Sequence, residues 1–151
     1  MRDLRLYSNK LRGSIPSGIG QLKQLEILYL HANQLSGPLP STIGNLSVLR
    51  DLLLQSNKLS GSLPSGIGQL RQLERLYLHT NQISGPLPST IGNLSDLRDL
   101  RLYSNKLRGS IPSGIGQLKQ LEILYLHANQ LSGPLPSTIG NLSDLRDLRL
   151  Y

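Results

Sequence analysis

Asparagine recurs at positions 9, 33, 57, 81, 105 and 129, a constant step of 24 residues. Gly13, Gly37, Gly61, Gly85, Gly109 and Gly133 keep the same step, as do Pro16, Pro40, Pro64, Pro88, Pro112 and Pro136. A chain this periodic is one supersecondary unit repeated, and each unit buries its apolar side against copies of itself. One unit reads Leu25-x-x-Leu28-x-Leu30-x-x-Asn33-x-Leu35-x-Gly37-x-Leu39-Pro40-x-x-Ile43-Gly44-x-Leu46. The pattern runs through all 151 residues, so residues 1–151 are expected to form a single domain of about six repeats.

Each position has a physical role. Leu28 and Leu30 alternate with Tyr29 and His31, the period-2 signature of a strand with one buried face. At the strand end stands Asn33, whose side-chain amide can bond to backbone groups of a turn. In a stack, Asn9, Asn33, Asn57, Asn81, Asn105 and Asn129 are expected to align as a structural ladder. Gly37 permits a bend without Cβ strain, and Pro40 holds the chain extended. Ile43, Leu46 and Leu49 return across the back and close the core. Glycines at positions such as Gly44 and Gly68 point to short 3-10 turns there and not to a long α-helix.

The unit resembles the plant-type class of leucine-rich repeats, on the segment Leu-Ser-Gly-Pro-Leu-Pro at 35–40 and 131–136 and its Ile variant at 83–88. The resemblance covers essentially the whole chain. It implies an α/β-type leucine-rich-repeat solenoid, right-handed and curved. A parallel β-sheet would line the concave face, with short second strands and 3-10 turns on the convex side and little α-helix. Relatives of this kind include receptor ectodomains and inhibitor proteins that bind peptides, hormones or proteins. Secreted relatives usually carry Cys-containing caps, and this chain has no Cys and no recognisable cap.

A second period of two repeats overlies the first: residues 2–47 recur unchanged at 98–143. Such uniformity suits recent duplication or an idealised array, and disfavours a single sculpted pocket, which needs unlike residues converging on one place.

Stacked parallel strands lie about 4.8 Å apart, so equivalent residues form columns. The first reads Arg2, Glu26, Arg50, Glu74, Arg98, Glu122, Arg146, with alternating charge. The second reads Asp3, Ile27, Asp51, Arg75, Asp99, Ile123, Asp147. A third reads Arg5, Tyr29, Leu53, Tyr77, Arg101, Tyr125, Arg149, and a fourth Tyr7, His31, Gln55, His79, Tyr103, His127, Tyr151. All six tyrosines fall in the last two columns. Tyr and Arg are enriched where binding energy concentrates, although Tyr also simply suits a strand surface. Arg5, Tyr7, Tyr29, His31, Gln55, Tyr77, His79, Arg101, Tyr103, Tyr125 and His127 are therefore the candidate ligand-binding residues.

The net charge is +7. The four columns nearly neutralise themselves, so the excess lies elsewhere, including an edge stripe of Lys10, Arg12, Lys58, Lys106 and Arg108. No aromatic stacking platform accompanies that stripe, and nucleic acid is not the expected partner. Catalysis is not expected either. His31, His79 and His127 lie two strands apart, about 9–10 Å, too far to share a metal. No Gly-x-Ser-x-Gly elbow or phosphate-binding Gly-Lys-Ser/Thr loop occurs. The repeated acids each sit beside Arg on an open face, where nothing raises a pKa by burial. No cofactor is implied.

The expected function is a non-enzymatic protein- or peptide-binding scaffold that uses the concave sheet. A second reading is a structural, self-assembling array without a specific ligand, with a homodimer through the exposed solenoid ends. A third, ice binding, rests on the small-residue column Ser8, Ala32, Ser56, Thr80, Ser104, Ala128, which Ala interrupts. No secretory signal or membrane-spanning run is present. The setting would be extracellular for a fragment of a receptor-like protein and cytoplasmic otherwise. Asn45, Asn93 and Asn141 head Asn-Leu-Ser sequons that only a secretory setting would use.

Overall fold

The structure, a computed structural model, describes residues 1–151. Thirteen short strands alternate with six 3-10 turns. The odd-numbered strands are β1 (Asp3–Arg5), β3 (Ile27–Tyr29), β5 (Asp51–Leu53), β7 (Arg75–Tyr77), β9 (Asp99–Arg101), β11 (Ile123–Tyr125) and β13 (Asp147–Arg149). They form one seven-stranded parallel sheet in chain order. The register equals the sequence period: Leu4 faces Leu28, Leu28 faces Leu52 and Leu52 faces Leu76. The four columns are thus real neighbours in space. Each strand is only three residues long, yet the ladder continues past it, with Ser8 N donating to His31 O at 3.0 Å.

The remaining strands lie on the opposite side. They are β2 (Arg12–Gly13), β4 (Gln34–Pro38), β6 (Lys58–Ser60), β8 (Ser84–Gly85), β10 (Lys106–Gly109) and β12 (Gln130–Leu131). They form two three-stranded sheets, β2-β4-β6 and β8-β10-β12. Their register is two residues shorter than the period, with Gly13 facing Leu35 and Gly37 facing Leu59. Between the two sheets, Gln82 N still donates to Leu59 O at 2.8 Å and Ser84 N to Gly61 O at 3.0 Å.

The 3-10 turns span Ser17–Gln21, Ser41–Asn45, Ser65–Gln69, Ser89–Asn93, Ser113–Gln117 and Ser137–Asn141. Each follows an extended proline, as at Pro40 with φ −66° and ψ 141°. The conserved spacing of glycine here has a packing cause. A Cβ on Gly68 would lie 2.5 Å from Thr90 O, and one on Gly44 would lie 2.5 Å from Gly66 O. Successive turns therefore touch through backbone. The two-repeat period shows in the same layer. Thr42, Thr90 and Thr138 each donate a hydroxyl hydrogen bond to the preceding turn, at Ser17 O, Ser65 O and Ser113 O.

One hydrophobic cluster runs from Ile15 to Leu142 between the sheet and the turns, and is built of Leu and Ile. Of the side chains at the two ends, Leu6, Leu11, Leu148 and Leu150 are exposed, whereas Ile15 and Leu142 are buried.

The inner end of each strand turns through a left-handed residue. Ser8, Ala32, Ser56, Thr80, Ser104 and Ala128 have φ between 54° and 58°. The small-residue column is thus a row of strained turn positions at the sheet margin.

The next residue is the asparagine. Asn105, which is buried, donates through Nδ2 to Leu102 O and to Leu78 O of the preceding repeat, each at 3.0 Å. It reaches Tyr103 O at 3.3 Å as well, and its Oδ1 accepts from Ile83 N at 2.9 Å. Asn33, Asn57, Asn81 and Asn129 repeat this bridge to the repeat before them. Asn9 bonds only within its own turn, to Leu6 O and Tyr7 O.

Candidate ligand-binding face

The candidate residues sit on adjacent columns of the seven-stranded sheet, on the face turned away from the core. In the fourth column the rings stack along the solenoid. Tyr7 lies parallel to His31 at 4.7 Å between centroids. Farther on, His79 stacks on Tyr103 at 4.3 Å, Tyr103 on His127 at 4.6 Å and His127 on Tyr151 at 5.0 Å. Gln55 interrupts the row between His31 and His79. Tyr29, Tyr77 and Tyr125 of the third column meet the histidines of their own strands at 5.9, 5.9 and 6.0 Å. The result is two parallel ridges of planar side chains.

Arginine completes the third column. The Arg101 guanidinium lies 4.6 Å from the Tyr77 ring centroid and 5.3 Å from that of Tyr125. Arg5 covers Tyr29 at 5.1 Å and Arg149 covers Tyr125 at 4.3 Å. Each such contact is worth about 0.5–1 kcal/mol at an exposed site.

The aspartates of the second column hold this array in place, a role that the sequence reading did not assign them. Tyr29 Oη donates to Asp51 Oδ2 at 3.0 Å, and Tyr77 Oη to Asp99 Oδ2 at 2.7 Å. Tyr125 donates to Asp147 in the same way. Each pair is a diagonal of the sheet, one strand over and two residues along. Such neighbours lie within reach of a tyrosine, and that diagonal was the available signal. Arginine takes the other carboxylate positions. Arg75 grips Asp51 through Nε at 2.7 Å and through Nη2, and Arg101 grips Asp99 through both at 2.9 Å.

The expectation that every acid lies on an open face fails at Asp51, which is buried. The cause is Arg75, which stands where Ile27 and Ile123 stand in sister repeats and closes over the carboxylate. In the first column, Arg2–Glu26, Arg50–Glu74 and Arg98–Glu122 pair at 3.5, 3.6 and 3.4 Å. None of the edge residues Lys10, Arg12, Lys58, Lys106 or Arg108 is buried.

These contacts shift protonation. Burial pushes the Tyr77 phenol up to about 12, with the hydrogen bond to Asp99 adding to it. Burial, aided by the nearby Arg101 charge, pushes His79 down to about 4. Burial lowers His31 as well. Hydrogen bonds from Tyr125 and Arg149 lower Asp147. Near neutrality His79 is therefore neutral and Tyr77 keeps its proton, beside paired ions. Nδ1 of His31, His79 and His127 is buried without a partner, as is Oε1 of Gln55. A buried orphan N–H is the rarer and costlier case, so at His31 and His79 the imidazole proton belongs on Nε2.

No cluster of three or more His, Cys, Asp or Glu side chains has the geometry to hold a metal ion. No helix is long and apolar enough to cross a membrane.

Profiles of the leucine-rich-repeat family match residues 71–131 and residues 1–22, 24–46 and 48–70. A search of curated proteins finds no match. Among solved structures, the plant peptide hormone receptor RGFR1 in complex with RGF2 superposes with a TM-score of 0.98 at 40% identity, over 99% of this chain and 24% of the receptor chain. The Arabidopsis receptor kinase HAESA ectodomain, in complex with an extended IDA peptide hormone, gives 0.93 at 38%, over 97% and 24%. The ectodomain of the Arabidopsis thaliana receptor kinase SOBIR1 gives 0.81 at 34%, over 87% and 73%. The chain thus spans about a quarter of the length of the two hormone-receptor chains. The period, the two-sided strand arrangement and these likenesses agree: the chain belongs to the leucine-rich-repeat family, in its plant-type class.

Proposed function

We propose that the chain is a non-enzymatic scaffold whose sheet face docks a peptide or protein through the Tyr, His, Arg and Gln side chains of the third and fourth columns. The observation that carries this reading is the pair of planar ridges, interrupted only on the strand of Leu53 and Gln55 and pre-set by the Tyr–Asp–Arg network. Rigid aromatic side chains present contact area at small entropic cost, because little freedom remains to be lost on binding. Two similar structures, RGFR1 and HAESA, are complexes with the peptides RGF2 and IDA. The same network argues against catalysis, since the carboxylates of Asp51, Asp99 and Asp147 are occupied by Tyr and Arg. The test is selection of displayed peptides on the immobilised protein. Peptides so selected should lose binding to a variant with Tyr29, Tyr77 and Tyr125 replaced by Ala. Equal binding to that variant overturns the reading.

Self-association through the ends is a second reading, favoured by exposed Leu6 and Leu11 at one end and Leu148 and Leu150 at the other. Stacking head to tail in register would set Arg146 beside Arg2, Asp147 beside Asp3 and Arg149 beside Arg5 of a second copy. Like charges directly opposite oppose that arrangement, so a two-fold dimer of like ends fits better. Light scattering over a dilution series tests it. A monomer at every concentration removes it, and Leu148→Lys with Leu150→Lys should dissociate a C-terminal contact.

A further inference from the structure

We infer that the occupant suited to the two ridges is an uncharged proline-rich segment in the left-handed polyproline II conformation, lying along the solenoid axis across the strands. This rests on the reading of the sheet face as a docking surface and names the chemistry of its ligand.

The first argument is period. Like residues recur on this face every second strand: Tyr29, Tyr77 and Tyr125 in one ridge, His31, His79 and His127 in the other. At about 4.8 Å per strand, the surface repeats about every 9.6 Å. The ring steps of 4.3, 4.6 and 5.0 Å from His79 through Tyr103 and His127 to Tyr151 give two-strand repeats of about 8.9 and about 9.6 Å along the stacked row. A polyproline II helix repeats every three residues, about 9.3 Å, between the two. An extended β-strand repeats its facing side chains about every 6.6–6.8 Å, and an α-helix about every 5.4 Å per turn. Neither keeps step with the ridges over three repeats.

The second argument is charge and hydrogen-bond complementarity. The carboxylates of Asp51, Asp99 and Asp147 already accept from Tyr and Arg. The groups left free to bond are mainly donors: the Nε2–H of His31 and His79, the Gln55 Nε2 and the Nη1 of Arg101, with Gln55 Oε1 the one buried acceptor without a partner. Proline contributes a carbonyl and no N–H. A run of prolines therefore offers acceptors alone, against a face whose aspartates already accept from Tyr and Arg. Because the ions of this face are paired with one another, a partner with formal charge finds no unpaired counter-ion among them.

The third argument is shape. The two ridges touch, the Tyr and His rings of one strand lying tilted or edge-on at about 6 Å between centroids, so the face is a continuous shelf of planar side chains across its width. A preformed polyproline helix lies along such an aromatic surface with little loss of entropy.

The test uses decaproline, which at about 3.1 Å per residue spans the six strand intervals of the sheet, about 29 Å. Binding is read by tyrosine fluorescence, the chain having no Trp, and by isothermal calorimetry. Decaproline should bind, and its all-D enantiomer, a helix of the opposite hand, should bind at least tenfold more weakly. The Tyr29→Ala, Tyr77→Ala, Tyr125→Ala variant should lose the L-peptide at least tenfold as well. No binding of decaproline at millimolar concentration overturns the inference, and so does equal binding of the two enantiomers, a comparison that needs only the unaltered protein. Proline-free decapeptides from the display selection form the separating arm. If they bind in a tyrosine-dependent way while decaproline does not, the docking face stands and the polyproline inference falls.

Discussion

The Tyr77 hydroxyl donates to Asp99 Oδ2 at 2.7 Å, while Arg101 holds the same carboxylate and covers the Tyr77 ring. Two side chains, from neighbouring strands, thus share one carboxylate. Tyr77→Phe should cost about 1–2 kcal/mol, since a hydrogen bond to a charged acceptor is lost in a half-buried place. The phenol is held at about 12 against an ordinary 10.0, so the folded state favours its proton. Its contribution to stability is complete below pH 10 and is lost as pH rises through 12. Alkaline titration of tyrosinate absorbance should show a late-ionising component, to which Tyr29 and Tyr125 also contribute, that shrinks in Tyr77→Phe.

His79 gives the opposite limb. Its folded value, about 4, lies below the ordinary 6.5, so the unfolded chain takes up the proton first. Stability should be insensitive to His79 above pH 6.5 and fall progressively toward pH 4. Thermal melts of the wild type and His79→Gln would check this. The variant should be less sensitive over that window, in which carboxylates common to both proteins also begin to titrate. Identical pH profiles would show that His79 is not held neutral.

Much of this molecule was legible from its period. With Leu28 and Leu52 24 residues apart, the sheet register followed directly, and Pro40 with Gly44 pointed to 3-10 turns. Two features were not legible. The left-handed turn at Ala32 and Thr80 escaped notice because Ala and Thr have no preference for positive φ; Thr, being β-branched, disfavours it. The burial of Asp51 also escaped, because it depends on a single substitution at Arg75 and on a diagonal contact that column-by-column reading does not reveal. The candidate columns themselves were readable, but their internal bonding arises from contacts between columns.

The asparagine bridges predict a gradient of cost along the chain. Asn105→Ala would strand Ile83 N and remove one of the two asparagine donors to each of the carbonyls of Leu78 and Leu102, which keep Asn81 and Asn129. With one buried N–H left unpaired and two further bonds lost, the cost should be about 2–3 kcal/mol. Asn9→Ala removes two bonds within one exposed turn and should cost under about 1 kcal/mol. Denaturant midpoints of the two variants would check the ordering. Equal effects would mean that the link between repeats contributes little.

The glycines of the 3-10 turns supply a matched pair. At Gly68 an added Cβ would meet Thr90 O at 2.5 Å, and the obstacle is backbone of the next repeat, which cannot rotate away. At Gly18 nothing lies within 4 Å, and its backbone is not left-handed. Gly68→Ala should therefore force two successive turns apart and destabilise by about 1–3 kcal/mol, the usual range for overpacking. Gly18→Ala meets no such obstacle and restricts the unfolded chain, so it should be neutral or stabilising by up to about 1 kcal/mol. The two substitutions are chemically identical and both fall within 3-10 turns. A difference in their thermal midpoints therefore isolates the contact between repeats from local conformational preference. If Gly68→Ala melts where the wild type does, close packing of the turns is not what requires glycine there.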